Sequence, residues 1–362
     1  MRGGESEYRR TENPVPENRR EKHRTATGET AGSATDGEAA KKGSTAMVSM
    51  MAADASTTHV TAIGVPRSPK IRRVTVIGTG VIGTSIALGL RQAGVQVALT
   101  DRDEISLAQA VRMGAGVPLS PATPAADVVV VATPPSTIAA VLRDAQARGL
   151  GAAYTDVAST KAGVVAGAER AGCDFSTYVP GHPMAGRETS GPAAAQKELF
   201  AGRPWALCPR AGTPRETVAL VTRLVEMCGA RVNVLDPGQH DEVVAASSHA
   251  PHVVSAALAA HFAGAGAAML SMVGPGLRDT TRIAAGDPGL WCDILRQNAE
   301  PVAAVLEAVA RDLAEVAAAL RDGGPAAAEV LAGLLTRGNL GRANIAGAGP
   351  DAPAGRPLAV VA

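Results

Sequence analysis

The residues whose types and spacing could do chemistry fall into four groups. The first is Gly78-Thr79-Gly80-Val81-Ile82-Gly83, a G-x-G-x-x-G that follows the apolar run Val74 to Ile77 and opens a helical pattern. Such glycines permit a tight turn and let backbone N–H groups approach a pyrophosphate at a helix N-terminus. Asp101, 23 residues after Gly78 and at the end of the second strand, is placed to accept from adenosine ribose hydroxyls and to repel a 2′-phosphate. That points to NAD. Arg102 pulls the other way, since an arginine there can accommodate NADP. Thr133, in Ala132-Thr133-Pro134-Pro135, closes a later strand at the same carboxyl edge.

The second group pairs a hydroxyl with an imidazole. Ser159 ends a strand in Asp156-Val157-Ala158-Ser159-Thr160-Lys161 and is read first as the cap of the helix beginning near Ala162. His182 lies in Pro180-Gly181-His182-Pro183-Met184-Ala185-Gly186, where a glycine and a proline immobilise a loop at that edge. The third group, Ser248-His249-Ala250-Pro251-His252, carries two histidines three apart on one helical face, without a third ligand of zinc spacing. No metal site is expected. The fourth, Arg278-Asp279-Thr280-Thr281-Arg282, sets two arginines around an acid in an Ala-rich region. Either it is a solvated face or it presents a guanidinium fork to a carboxylate.

The elements that must position these groups change character along the chain. Residues 1–66 are mixed-charge and poor in apolar periodicity, and read as a disordered leader or as sequence ahead of a later start at Met47, Met50 or Met51. From residue 71, short apolar runs alternate with helical stretches, the pattern of a doubly wound parallel sheet. Strands are expected at 74–77, 95–99, 127–132, 153–157, 177–180, 205–208 and 231–235. Helices are expected at 81–93, 105–113, 137–147 and 215–228. The dinucleotide-binding domain is thus assigned to 67–233 and an all-helical domain to 234–322. A short helix, 326–336, and a flexible tail are expected within 323–362. The helical faces exceed what one helix pair can bury, so a second subunit is expected to cover them.

Composition narrows the classes further. The 362 residues are 46% hydrophobic but only 2% aromatic, so stacked aromatic platforms for nucleic acid are excluded and the core rests on aliphatic side chains. Thirty-five basic residues nearly cancel 34 acidic ones, and the nine basic and eight acidic residues of 1–43 leave 26 of each sign in the rest, which removes a nucleic-acid footprint. The four cysteines form no C-x-x-C pair, there is no apolar signal segment, and no membrane span is expected. A cytoplasmic enzyme fits these features.

Taken together, the motifs resemble the prephenate/arogenate dehydrogenase family of tyrosine biosynthesis. The likeness runs over roughly 71–322 and rests on G-T-G-V-I-G at 78–83, D-V-A-S-T-K at 156–161, G-H-P-M-A-G at 181–186 and S-G-P at 190–192. It continues through L-F-A-G-R-P-W at 199–205, S-H-A-P-H at 248–252 and R-D-T-T-R-I-A-A-G-D-P at 278–288, followed by Trp291. The resemblance implies a Rossmann-like doubly wound parallel sheet followed by a helical dimerisation domain, a homodimer, and an NAD-dependent oxidative decarboxylation of prephenate. It also implies that His182 takes the proton of the ring C4 substituent and that Ser159 orients His182. His249 would line the substrate pocket, Arg282 would bind a substrate carboxylate, and Asp279 and Trp291 would support them.

The sequence departs from the family pattern at Arg187, where the family commonly has Ser or Thr, which bears on specificity. The short C-terminal remainder leaves no room for a regulatory ACT domain, so tyrosine control through one is not expected. Arogenate and 4-amino-4-deoxyprephenate are the alternative substrates. A β-hydroxyacid dehydrogenase would need a helical-domain lysine, and 236–321 contains none. A non-catalytic NAD-binding protein would have no use for His182, Ser159 and Arg282 together.

Overall fold

The computed structural model describes residues 69–186 and 189–347. The leader, Arg187 and the end beyond 347 lie outside the described residues. The chain order is β1 (Arg73–Ile77), α1 (Val81–Gln92), β2 (Gln96–Thr100), α2 (Glu104–Arg112), β3 (Val117–Pro118), β4 (Ala126–Val131), α3 (Ile138–Ala147), β5 (Gly151–Asp156), α4 (Ala162–Arg170) and β6 (Tyr178–Val179). These six strands are all parallel, in the order β3-β2-β1-β4-β5-β6. That is the Rossmann order, with the strand direction of travel reversing between β1 and β4, where the crevice for a dinucleotide opens.

The sheet is covered on both faces, which is why its central strands read as unbroken valine runs. One face packs Val74, Val76, Val128 and Val130 against Ile86 and Leu90 of α1 and the later Leu224. The other packs Val129, Tyr154 and Tyr178 against Leu142 and Ala145 of α3 and Ala168 of α4. The few aromatic residues are concentrated here, with Trp205, Phe200 and Tyr178 all buried.

The last strands depart from the expected single sheet. Pro180 ends β6 after two residues, and the chain then forms β7 (Gly181–Pro183), β8 (Pro204–Leu207) and, after α5 (Arg215–Met227), β9 (Arg231–Val234). These make a separate three-stranded sheet, β7-β8-β9, with β7 antiparallel to β8 and β9 parallel to it. His182 pairs with Ala206 in this ladder, so it is held by backbone hydrogen bonds rather than by a loop.

The helical domain begins with α6 (Pro237–Val244), capped by the Asp236 carboxylate on the Gly238 N–H. A π turn, Ala245–His249, joins it to α7 (Ala250–Ala260). By length and apolarity the continuous run Pro237–Ala260, of mean hydropathy 1.3, could cross a bilayer, which the sequence reading did not anticipate. It buries four polar side chains, His240, Asp241, His249 and His252, inside the protein. Then follow α8 (Ala267–Leu270), α9 (Pro275–Thr281), a 3-10 turn at Arg282–Ala285, α10 (Pro288–Gln297) and α11 (Ala299–Asp322). The final helix α12 (Gly324–Gly347) is twice as long as expected and runs through Gly333, Gly338 and Gly341. Packing on α11, with Arg337 donating to Asp312 at 3.0 Å, offsets the poor helix propensity of those glycines.

Candidate active site

Two glycines of the G-x-G-x-x-G are sterically required. Gly78 has φ +102°, and a Cβ there would lie 2.3 Å from the Ala132 carbonyl oxygen; at Gly83 it would lie 2.0 Å from the Gly78 oxygen. At Gly80, the residue preceding α1, a Cβ would meet nothing within 4 Å, so the turn leaves open space in front of the helix N-terminus. Val81 and Ile82 begin that helix and pack on the core. The residues therefore suit a pyrophosphate. Asp101 ends at the same edge, accepting from Thr79 N–H at 2.5 Å, Thr79 Oγ1 at 2.9 Å and Asp103 N–H at 2.9 Å. The acid expected to take the ribose thus also fastens the glycine turn. Arg102 is exposed beside it, and Thr133 is half-buried, accepting from Thr137 Oγ1 at 2.9 Å.

The end of β5 is tied to the strand of His182 by one carboxylate. Asp156 Oδ1 accepts from Lys161 Nζ at 2.6 Å and Ala158 N–H at 2.8 Å, and Oδ2 accepts from Tyr178 OH at 2.5 Å and Gly181 N–H at 3.3 Å. Burial, then the Asp156 charge, push the Tyr178 phenol well above its ordinary range, so it stays a donor. Gly181 is needed because a Cβ would lie 2.9 Å from both the Asp156 carbonyl and Thr155 Oγ1. In this way the glycine before His182 lets the small sheet press against the large one.

Ser159 is half-buried and, among the described residues, makes no hydrogen bond. Its reading as a helix cap is corrected by the structure. Lys161 is the N-cap residue of α4, and the orphan N–H groups of Lys161 and Ala162 donate at 2.7 and 2.8 Å to the two oxygens of Asp241, from the helical domain. A carboxylate at a helix N-terminus satisfies both the donors and the dipole.

Asp241 also links to the imidazoles. Its Oδ1 lies 2.8 Å from His240 Nδ1, and His240 Nε2 lies 2.9 Å from His182 Nδ1. His182 is 8% exposed, and burial, then His240, Lys161 and His249, hold its pKa well below the usual histidine value. His249 is buried too, and burial lowers its pKa to about 4. Asn298 Nδ2 donates to the Asp241 carbonyl at 2.8 Å and to His249 Nδ1 at 3.0 Å. Since that amide nitrogen can only donate, the neutral His249 carries its proton on Nε2, a buried atom with no partner. It is a donor in search of an acceptor.

Helix geometry explains how these side chains meet. His240 and His249 are nine residues apart, about half a turn out of phase on an ideal α-helix. The wider π turn between them reduces the offset, as such turns do at many functional sites. His252 stacks on Trp291 at 3.5 Å between centroids, and Trp291 stands edge-on to His249 at 6.1 Å. Gly286, where a Cβ would lie 2.3 Å from Trp291 Nε1, seats the turn after Arg282 against this pair. Arg282 and Asp279 are exposed on that segment, which Ser255 anchors by donating to the Thr280 carbonyl at 2.8 Å.

His240, Asp241 and Asn298 were missed by the sequence reading, although an adjacent His-Asp in an otherwise apolar helical run is a visible signal.

With this geometry in place, comparison with known proteins is specific. Residues 86–234 match the model described as prephenate dehydrogenase, nucleotide-binding domain, and residues 236–334 match prephenate dehydrogenase, dimerization domain. The chain is 38% identical over 252 residues, 69% of each chain, to the probable prephenate dehydrogenase NovF of Streptomyces niveus. It is 31% identical over 262 residues to the cyclohexadienyl dehydrogenase of Zymomonas mobilis, covering 69% of this chain and 88% of that one. The crystal structure of prephenate dehydrogenase from A. aeolicus in complex with hydroxyphenyl propionate and NAD+ aligns with a TM-score of 0.68 at 27% identity, over 77% of this chain and 100% of that one.

Proposed function

The chain belongs to the prephenate dehydrogenase family, and on that premise we propose how its own residues perform the reaction. It is an NAD-dependent oxidoreductase that converts prephenate to 4-hydroxyphenylpyruvate and CO2, a step of tyrosine biosynthesis. The observation that carries the residue assignment is the buried imidazole of His182, kept neutral at the carboxyl edge of the dinucleotide-binding sheet.

When bound, NAD would supply the acceptor for the hydride that leaves ring C4. His182 accepts the C4 hydroxyl hydrogen bond and shares its proton as C4 becomes carbonyl-like. Loss of the ring carboxylate as CO2 delivers an electron pair that aromatises the ring, and the proton returns to the phenol oxygen, so none is released. A base of lowered pKa is suited to this task because it is unprotonated at neutral pH. Ser159, three residues beyond the end of β5, orients the substrate side of His182. His249 donates from Nε2 to a substrate oxygen, Arg282 pairs with a carboxylate, and Asp279 and Trp291 support that segment. Arg187 bears on the choice between prephenate and amino analogues.

Gly78, Gly80 and Gly83, with Val81 and Ile82 at the helix start, hold the pyrophosphate. Asp101 takes the ribose, with Arg102 and Thr133 flanking. The enzyme works as a homodimer in the cytoplasm; exposed Leu313, Leu320, Leu335 and Leu340 on α11 and α12 support a covered apolar face. The test is NADH formation with prephenate, arogenate and 4-amino-4-deoxyprephenate, each with NAD and NADP. Prephenate with NAD is expected to give the highest kcat/KM. Exclusive turnover of an amino analogue would move the substrate assignment, and tight NAD binding without any turnover would end the enzymatic reading.

A further inference from the structure

The assignment of His182 as proton acceptor leaves open what fixes the ring. A neutral imidazole has one donor and one acceptor nitrogen, and only the tautomer protonated on Nδ1 presents an Nε2 lone pair to a hydroxyl. We infer that His240 and Asp241 are positioning residues that lock His182 in this tautomer across the domain boundary.

The oxygens of Asp241 accept from the backbone N–H groups of Lys161 and Ala162, and because a carboxylate can only accept, its third contact, His240 Nδ1, is a donor as well. A neutral His240 protonated on Nδ1 has a lone pair on Nε2. That lone pair faces His182 Nδ1 at 2.9 Å, which must then be the protonated nitrogen of His182. The remaining nitrogen, Nε2, is left as the acceptor. The rings meet edge-on, at 70° and 5.1 Å between centroids, the orientation an N–H to lone-pair bond needs.

All three side chains are buried, with His240 1% and Asp241 3% exposed. Strand β7 supplies His182, helix α6 supplies His240 and Asp241, and Asp241 is itself seated on α4 of the first domain. The arrangement therefore exists only when the domains are docked. The other charged or titratable groups around His182 are Lys161, paired to Asp156 from the β5 side, and His249 from the end of the π turn. None of these, nor Ser159, is hydrogen-bonded to a ring nitrogen of His182 among the described residues. In the rival arrangement a doubly protonated His240 donates to His182 Nδ1. His182 then carries its proton on Nε2 and confronts the hydroxyl with a donor.

This inference deepens the proposed reaction and rests on it for its catalytic meaning, but its structural content has a separate readout. In the full-length enzyme labelled with 15N-histidine, long-range proton–nitrogen correlations distinguish tautomers, and loss of one set in His182→Asn assigns the ring among the seven histidines. The expected result is a protonated Nδ1 and an unprotonated Nε2 for His182 at neutral pH.

In His240→Ala the tautomers should mix and kcat fall on the order of 10²-fold, less than the roughly 10⁴-fold seen when a catalytic triad is left in the wrong tautomer. KM for NAD should stay within about twofold, because uniform cofactor binding is untouched. His240→Gln, which accepts at one end and donates at the other, should recover kcat to within about tenfold of wild type. A wild-type His182 protonated on Nε2 would overturn the inference even if prephenate is turned over. So would a His240→Ala enzyme with unchanged kcat and merely a lower Tm. The expected tautomer without turnover of any substrate would instead count against the reaction.

Discussion

The two ends of the site are built on opposite principles. At the proposed base end, His182, His240, Asp241, His249 and Asn298 are all buried, and apart from the His240–Asp241 contact within α6 their hydrogen bonds join the two domains or separate parts of the helical one. At the end proposed to bind the substrate's carboxylate, Arg278, Asp279 and Arg282 stand exposed on a short helix and a 3-10 turn. The difference follows from what each group must do. An imidazole becomes a useful neutral base through desolvation and fixed partners, whereas a guanidinium keeps its charge in any environment and must be reachable by the incoming carboxylate.

The contrast predicts a split in kinetics. The largest effect belongs to His182→Asn, which should lower kcat on the order of 10²–10⁴-fold, the usual worth of general-base catalysis, with a small change in KM. Stopped-time measurement of NADH at saturating substrate checks it; near-normal kcat would send the search for the base to His249. The base end should also dominate stability. Lys161→Met leaves the buried Asp156 without its ion-pair partner and should cost about 3–5 kcal/mol in urea unfolding. Arg278→Ala, on the exposed segment, should stay within about 0.5 kcal/mol of wild type.

Arg282→Ala comes next. The contact proposed for it with a carboxylate would be present in ground and transition states alike, so KM should rise by the equivalent of roughly 1.5–3 kcal/mol while kcat is nearly kept. If kcat fell as far as in His182→Asn, the two ends would not be separable in the way their burial suggests.

The pH profile sharpens the same contrast. Because burial lowers the His182 pKa, the ring remains unprotonated below the ordinary value of about 6.5, and the acidic limb of kcat/KM should lie lower than that. The limb should be absent in His182→Asn and retained in Arg282→Ala.

How much of this was legible in the sequence also divides along these lines. Five of the six parallel strands were readable because buried parallel strands are apolar runs, and the glycine turn because its G-x-G-x-x-G spacing is a local pattern; β3, two exposed residues, left no such signal. The partnering of the later strands was not. Gly181-His182-Pro183 is too short and too rich in breakers to announce β7, and a strand's pattern does not say which sheet it joins. His182 itself stood out, but His240 lies 58 residues away and acquires meaning only when α6 docks. Helical periodicity likewise gave no hint of the π turn that brings His249 round. Ser159 was assigned the cap of α4 by local preference, and a tertiary carboxylate, Asp241, holds that position instead.

Between the two ends lies the cofactor edge, where the smallest effect is expected. Asp101 is half-buried; it fastens the glycine turn through Thr79 and is proposed to repel a 2′-phosphate. Asp101→Asn removes the charge but keeps an acceptor for Thr79, whereas Asp101→Ser shortens the side chain and removes both. The preference for NAD over NADP in kcat/KM should therefore narrow by about tenfold in each, the equivalent of roughly 1.4 kcal/mol of lost charge discrimination. Only the serine variant should also raise KM for NAD, because its turn is no longer held against β2. A wild-type enzyme that already favours NADP would show that the exposed Arg102 governs the site. An asparagine variant as impaired with NAD as the serine one would show that the charge, not the Thr79 contact, holds the turn in place.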